Sequence, residues 1–166
     1  MSNITAGAIT GGNLFIGGIG MFGDLVSTEM PKFEHETIEA STNIGKYELV
    51  LPTLKPLSAK FTISNVNMIY FDLLLLNKTQ KIYVKNNISS MNGVETGVVA
   101  TFEGNLKILE MPNFEMNKEA QMSFEMSCTF VKYEVDKKAA LVYDAQNGFY
   151  VVDGIDQYEK IRKNIN

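Results

Sequence analysis

The chain has 166 residues, 45% of them apolar and 20% charged, which fits one domain with a sizeable core and excludes a disordered chain. With one Cys (Cys128) and one His (His35), an intrachain disulfide and a Cys/His zinc site are both excluded. A net charge of −4, with Arg162 the only arginine among 15 basic residues, argues against a protein that grips nucleic-acid phosphates.

Residues 1–31 contain no Lys or Arg, so no basic leader of a secretory signal is expected there. No apolar run approaches the 18 residues of a membrane-spanning helix. Seven of the 13 glycines fall within residues 7–23, and this stretch reads as a flexible loop or arm of about residues 1–30. Gly18-Ile19-Gly20-Met21-Phe22-Gly23 matches G-x-G-x-x-G. Pro31 follows too soon for the helix that a dinucleotide fold needs, so a loop is expected there and not a phosphate cradle.

Period two dominates the rest. Strands are expected over 33–41 and 46–51. In 57–64, Leu57, Ala59, Phe61 and Ile63 alternate with Ser58, Lys60, Thr62 and Ser64, so one face is buried and one is polar. Residues 66–77 are apolar almost all round, which predicts a buried helix. Strands follow at 81–88, 98–109, 119–135, 139–144 and 149–152. Within the third of these candidates, Met122, Phe124, Met126, Cys128 and Phe130 face one way. A last helix is expected over 154–165, capped by Asp153 or Asp156, with Ile155, Tyr158, Ile161 and Ile165 as its apolar stripe. Met30-Pro31, Leu51-Pro52 and Met111-Pro112 mark breaks, and Asn92-Gly93 and Asn147-Gly148 mark tight turns.

No catalytic constellation emerges. Glu34 and Glu36 flank His35 but share the opposite strand face, which predicts solvated charges and not an acid–base site. The expected class is mainly β, a barrel or sandwich of antiparallel strands, with one central helix and a short C-terminal helix. No cofactor, metal or small-molecule substrate is expected.

Three segments carry a family resemblance. Asn13-Leu14-Phe15-Ile16-Gly17-Gly18 is followed by Glu29-Met30-Pro31-Lys32-Phe33. Gly45 through Ile63 has a proline-containing connection leading into an alternating strand. Val151-Val152-Asp153-Gly154-Ile155-Asp156-Gln157-Tyr158 precedes a short basic helix. In this order they resemble the major tail tube proteins of contractile-tailed phages and related phage-tail-like particles. Family members commonly read Asn-Gly-Val-Asp-Arg in the last segment, where this chain has Asp153 for Asn and Gln157 for Arg.

The resemblance implies homohexameric rings stacked into the inner tube of a virion, through which DNA leaves without specific binding. It implies sheath, baseplate and tape-measure proteins as partners, synthesis in a host bacterial cytoplasm, and no membrane. The subunit contacts it implies are Asn13, Phe15, Ile16, Gly17, Met30, Pro31, Gly45, Asp153, Gly154 and Asp156. The Gly-rich arm and the 42–56 loop are expected to order against neighbours, so a chain lacking residues 1–20 should fold but not polymerise. With about 24 strands per ring, a spacing of roughly 4.8 Å and a tilt of about 40°, a barrel is on the order of 48 Å across, wide enough for a duplex. Its bore should not be net basic. Competing expectations are a type VI-like or bacteriocin tube, a small-molecule-binding barrel, and a hydrolase built on strand 33–41.

Overall fold

Alternating polarity decides most of this fold. The computed structural model describes residues 7–166, and residues 1–6 of the expected arm lie outside them. In chain order the strands begin with β1 (Gly7–Ile16), β2 (Ile19–Gly20), β3 (Leu25–Glu29), β4 (His35–Thr42), β5 (Gly45–Leu54) and β6 (Leu57–Ile63). Helix α1 (Met68–Asp72) precedes β7 (Gln80–Ser90), β8 (Glu95–Glu110) and β9 (Met122–Val135). Then come β10 (Lys138–Asp144), β11 (Phe149–Val152), β12 (Ile155–Asp156) and helix α2 (Glu159–Ile165). The fold is mainly antiparallel β, as expected.

β8 and β9 are long enough to serve two layers. β7 covers β8 from Glu95 to Gly104, while β10 pairs with the Phe130–Val135 end of β9. This first layer continues through β1 on one side and β11–β12 on the other. The second layer consists of β3, β6, the Met122–Cys128 end of β9 and the Asn105–Glu110 end of β8. The register shifts between Glu103 and Gly104 and between Leu106 and Ile108, and such bulges bend a strand from one layer into the next. Gly104 is required at the bend, because a Cβ there would lie 1.8 Å from the Ser127 carbonyl oxygen.

The core lies between the layers. Phe61 stacks on Phe124 at 5.0 Å and meets Phe102 edge-on at 5.6 Å, with Leu14, Ile82 and Val84 packed from the first layer. Each such side chain contributes about 1.5–3 kcal/mol by leaving water. The alternation in 57–64 is reproduced residue by residue in β6, with Leu57, Ala59, Phe61 and Ile63 buried.

Four expectations need correction. The Gly-rich stretch is not an arm over residues 7–16. It is β1, paired with β7 and burying Leu14 and Ile16, because a long partner strand supplies the order that glycine lacks. A chain cut at residue 20 would therefore lose part of the core and not merely its contacts. The helix over 66–77 shrinks to α1, capped by the Asn67 side chain, and the chain turns away after Leu73. Tyr70 and Leu73 enter the core, while Leu74, Leu75 and Leu76 stay in water, so the apolar run serves two destinations.

Pro52 does not break a strand. It sits inside β5, which belongs to a two-stranded sheet where a missing N–H is tolerated at an edge. Residues 155–156 form β12, and α2 begins only at Glu159 with Tyr158 at its N-cap position. Ile155 and Ile165 are exposed, so the expected apolar stripe is not buried along its length.

A candidate assembly surface

The β4–β5 hairpin stands apart from the ten-stranded sheet. Its pairing puts Ile38 opposite Leu49 and Ala40 opposite Tyr47, while Glu39 faces Glu48 and Ser41 faces Lys46. Cross-strand partners share a face, so one side of the ribbon is apolar and the other mostly polar, with Val50 opposite Thr37 as its apolar member. Ile38, Tyr47 and Leu49 are each about half exposed, and Ile44 at the tip is almost wholly so. An isolated two-stranded ribbon is marginal in water. This one displays an apolar face that no other part of the described chain covers.

Its base is fixed firmly. The Phe33 ring stacks on Tyr150, and His35 and Tyr158 meet Tyr150 edge-on. The Tyr158 hydroxyl donates to the Pro52 carbonyl, His35 Nδ1 lies 2.9 Å from the Leu51 carbonyl, and Lys55 donates to Glu34 at 2.9 Å. That lysine holds the Glu34 carboxyl below its ordinary range. Glu34 and Glu36 are exposed and His35 is half-buried, so the acidic strand is a solvated face, as its alternation predicts.

Tyr158 also leads to the C-terminus. Asp156 accepts from the Tyr158 N–H at 3.0 Å and pairs with Arg162, which lowers the carboxyl's pKa. Arg162 donates to the Gly148 carbonyl at 2.8 Å and lies 4.4 Å from the Phe149 ring centre. The one arginine therefore clamps α2 onto β11.

The residues implied as contacts fall in four places. Asn13 and Phe15 are half-buried on the outer face of β1, with Lys85 4.8 Å above the Phe15 ring. Ile16 faces the core and Gly17 forms the β1–β2 turn with Gly18, both glycines at positive φ as a two-residue turn requires. Met30 is partly exposed and Pro31 buried, just before the hairpin's base. Gly45 is at the hairpin tip. Asp153 and Gly154 form a second positive-φ turn, and Asp156 is taken by Arg162. The structure thus does not gather them into one patch. It gives Ile16 and Asp156 internal partners.

The outer face of the first layer carries an open cleft of about 720 Å³, lined by Phe15, Lys81, Tyr83, Glu103, Phe130 and Lys132 among others. Two ion pairs lie within it, Lys81 with Glu103 at 3.4 Å and Lys132 with Glu134 at 2.9 Å, while Lys85 lies over the Phe15 ring. Cys128 faces the core, where burial raises its thiol pKa to about 11, and His35 lies at the hairpin base. These two side chains cannot form a nucleophile pair. Among the described residues, no three His, Cys, Asp or Glu side chains cluster as metal ligands would.

Residues 7–165 match the sequence pattern of the family described as phage tail tube protein FII. The chain belongs to that family. Its role is therefore that of a structural tail tube component. No curated protein matches the sequence. Among solved structures, the fold is similar to a sheath/tube terminator of an extracellular contractile injection system, PVC, in the extended state. That match has a TM-score of 0.56 at 12% identity, over 75% of this chain and 93% of the other. A chain of the PVC sheath–tube complex gives 0.54 at 12% identity, over 75% and 88%. The anti-feeding prophage cap, a tube-terminating cap, gives 0.54 at 15%, over 74% and 87%. At these identities the likeness is one of fold.

The sequence reasoning missed the apolar face of the hairpin. Its signal was present: Tyr47 and Leu49 alternate with Lys46 and Glu48 until Val50 breaks the pattern, and Ile38 and Ala40 with Thr37, Glu39 and Ser41.

Proposed function

We propose that this chain is the repeating, non-enzymatic subunit of a tail tube. Hexameric rings stack into a hollow inner tube of a virion assembled in a bacterial cytoplasm, and DNA passes through it without specific binding. The observation that supports this reading is the amphipathic β4–β5 hairpin. It is anchored at its base, apolar on one face and uncovered by the described residues of its own chain. A second copy is the partner that family membership supplies, and a head-to-tail contact of this kind builds rings and filaments. Gly45 at the tip, Met30-Pro31 beside the base and the Asp153-Gly154 turn are the family-implied positions best placed to touch a neighbour. Sheath, baseplate and tape-measure proteins complete the particle.

A second reading has its own support. The similar solved structures come from contractile injection particles, including an extracellular one. A tube of that kind carries another cargo through the same subunit geometry. Negative-stain imaging of the purified protein tests both readings at once, with uniform hollow rods or six-fold rings expected. Compact monomers at every concentration would overturn both. Packaged nucleic acid in particles from the source cell separates the first reading from the second.

A further inference from the structure

The hairpin leaves the body through a joint and not through a continuous sheet. Two short threads connect it, residues 30–34 before β4 and residues 55–56 after β5. Near its base the ladder is interrupted. His35 lies opposite Leu54 and Thr37 opposite Val50, so Leu51, Pro52 and Thr53 of β5 stand against Glu36 of β4 alone. Such a bulge bends a ribbon and leaves backbone groups without ladder partners. Pro52 has no N–H to offer a ladder, which keeps the interruption in place. The angle of the ribbon beyond the bulge, Thr37–Val50, therefore has to be set by other bonds.

Side chains supply them. His35 Nδ1 lies 2.9 Å from the Leu51 carbonyl, and facing a carbonyl that nitrogen is the donor. The Tyr158 hydroxyl donates to the next carbonyl, that of Pro52. Both rings meet Tyr150 edge-on, at 5.9 and 6.1 Å. Two consecutive carbonyls of the bulge are thus latched. One latch comes from within the hairpin and the other from a residue 106 positions further along the chain. Burial raises the Tyr158 pKa, so its hydroxyl keeps the proton and stays a donor.

Tyr158 is itself held by a bracket. The Asp156 carboxylate accepts its N–H at 3.0 Å, and the Gln157 N–H donates to the Tyr150 carbonyl at 2.8 Å. Arg162 pairs with Asp156, donates to the Gly148 carbonyl at 2.8 Å and lies over the Phe149 ring. Asp156 belongs to β12, which pairs with β11, so the bracket is fixed to the ten-stranded sheet. Helix α2 buries no residue of its own, so Arg162 does not clamp it there to build a core.

We propose that Tyr158 is a positioning residue for assembly. The Asp156–Arg162 bracket and the Tyr158 hydroxyl fix the angle at which the hairpin leaves the body, and with it the direction in which the apolar face meets a second copy. This rests on the reading that copies join through the hairpin.

Two substitutions test the latch. Tyr158→Phe removes the hydroxyl and leaves the ring against Tyr150. Arg162→Gln releases the bracket one step further back. Spin labels on Glu39→Cys in the ribbon and Lys138→Cys on β10 report the hairpin's angle in the monomer, while Cys128 stays buried. Each variant should widen the distance distribution relative to wild type, and the two together should widen it no more than the stronger does alone. Each should need about fivefold more protein than wild type to form rods, the factor that one lost hydrogen bond supplies. The midpoint of global unfolding should stay near the wild-type value, since neither side chain belongs to the core. Tyr83→Phe, which loses a hydroxyl on the outer cleft, should change neither readout. An unchanged distribution in Tyr158→Phe overturns the latch, and so does widening by the two variants that adds in full. A widened distribution with the wild-type rod threshold overturns its part in assembly. If wild type forms no rods while the variants still widen the distribution, the latch stands and the reading of the hairpin as the joining surface falls.

Discussion

β6 and β4 are strands of similar length, and both alternate apolar with polar residues. They meet opposite fates. β6 is paired on both edges, by β3 and β9, and its apolar side chains are sealed against Phe102 and Phe124. β4 has one partner strand, and its apolar face remains in water. Alternation therefore specifies that one face of a strand will be buried but not by what. In β6 the covering surface comes from the same chain, and in β4 none of the described residues supplies it.

That contrast can be broken most severely at the bend between layers. Gly104→Ala drives a methyl into the Ser127 carbonyl, backbone against backbone, with nothing free to yield. A loss of about 4 kcal/mol or more is expected, enough to empty a marginal fold, and denaturant titration would show it. Next comes Tyr70, the buried residue of α1. The Tyr70 hydroxyl donates to Asp24 Oδ2 at 2.8 Å, and burial pushes its pKa upward. Tyr70→Phe leaves the ring packed but removes a bond to a charged acceptor, so about 1.5–3 kcal/mol should be lost by the same measurement.

In the hairpin the order of effects reverses. Leu49→Ser should cost the monomer no more than about 1 kcal/mol, because the side chain is half exposed and lies outside the core. The same variant should fail to form rods under conditions where wild type does, as seen by electron microscopy. If Leu49→Ser destabilised the monomer as much as a core substitution, the hairpin would not be an uncovered face. The smallest effect concerns α2. Arg162 holds the Asp156 carboxyl below its ordinary value, so their pairing supports the fold fully above about pH 4. That support fades as pH falls through the lowered value. Amide exchange in α2 should rise there before exchange in β8 and β9 does, and Asp156→Asn should remove the difference.

Much of the body was legible. Strict alternation in 57–64 and 122–128 named the core faces of β6 and β9, because period two leaves a half-buried strand little choice. Phe130, expected on the same face, lines the outer cleft, because the register shift at Glu103/Gly104 moves the next buried position to Val131. The N-terminal glycines misled because their order is supplied by β7, some seventy residues away in sequence and invisible to a local reading. The leucines of 73–76 misled for a related reason, since hydrophobicity marks burial without naming the side on which it happens. Of the contact residues carried over by resemblance, Gly45 and the Asp153-Gly154 turn are at exposed tips. Ile16 is buried and Asp156 pairs with Arg162.

The ribbon that is marginal alone has a kinetic consequence. If copies join through it, the first encounter must freeze two loose ribbons at once, whereas a newcomer at an existing end meets one already rigid. Starting a polymer is then slow and extending it fast. A pool of free chains can stay dispersed until a preformed platform offers the first docking place, and the number of platforms, not the protein's abundance, decides how many tubes grow.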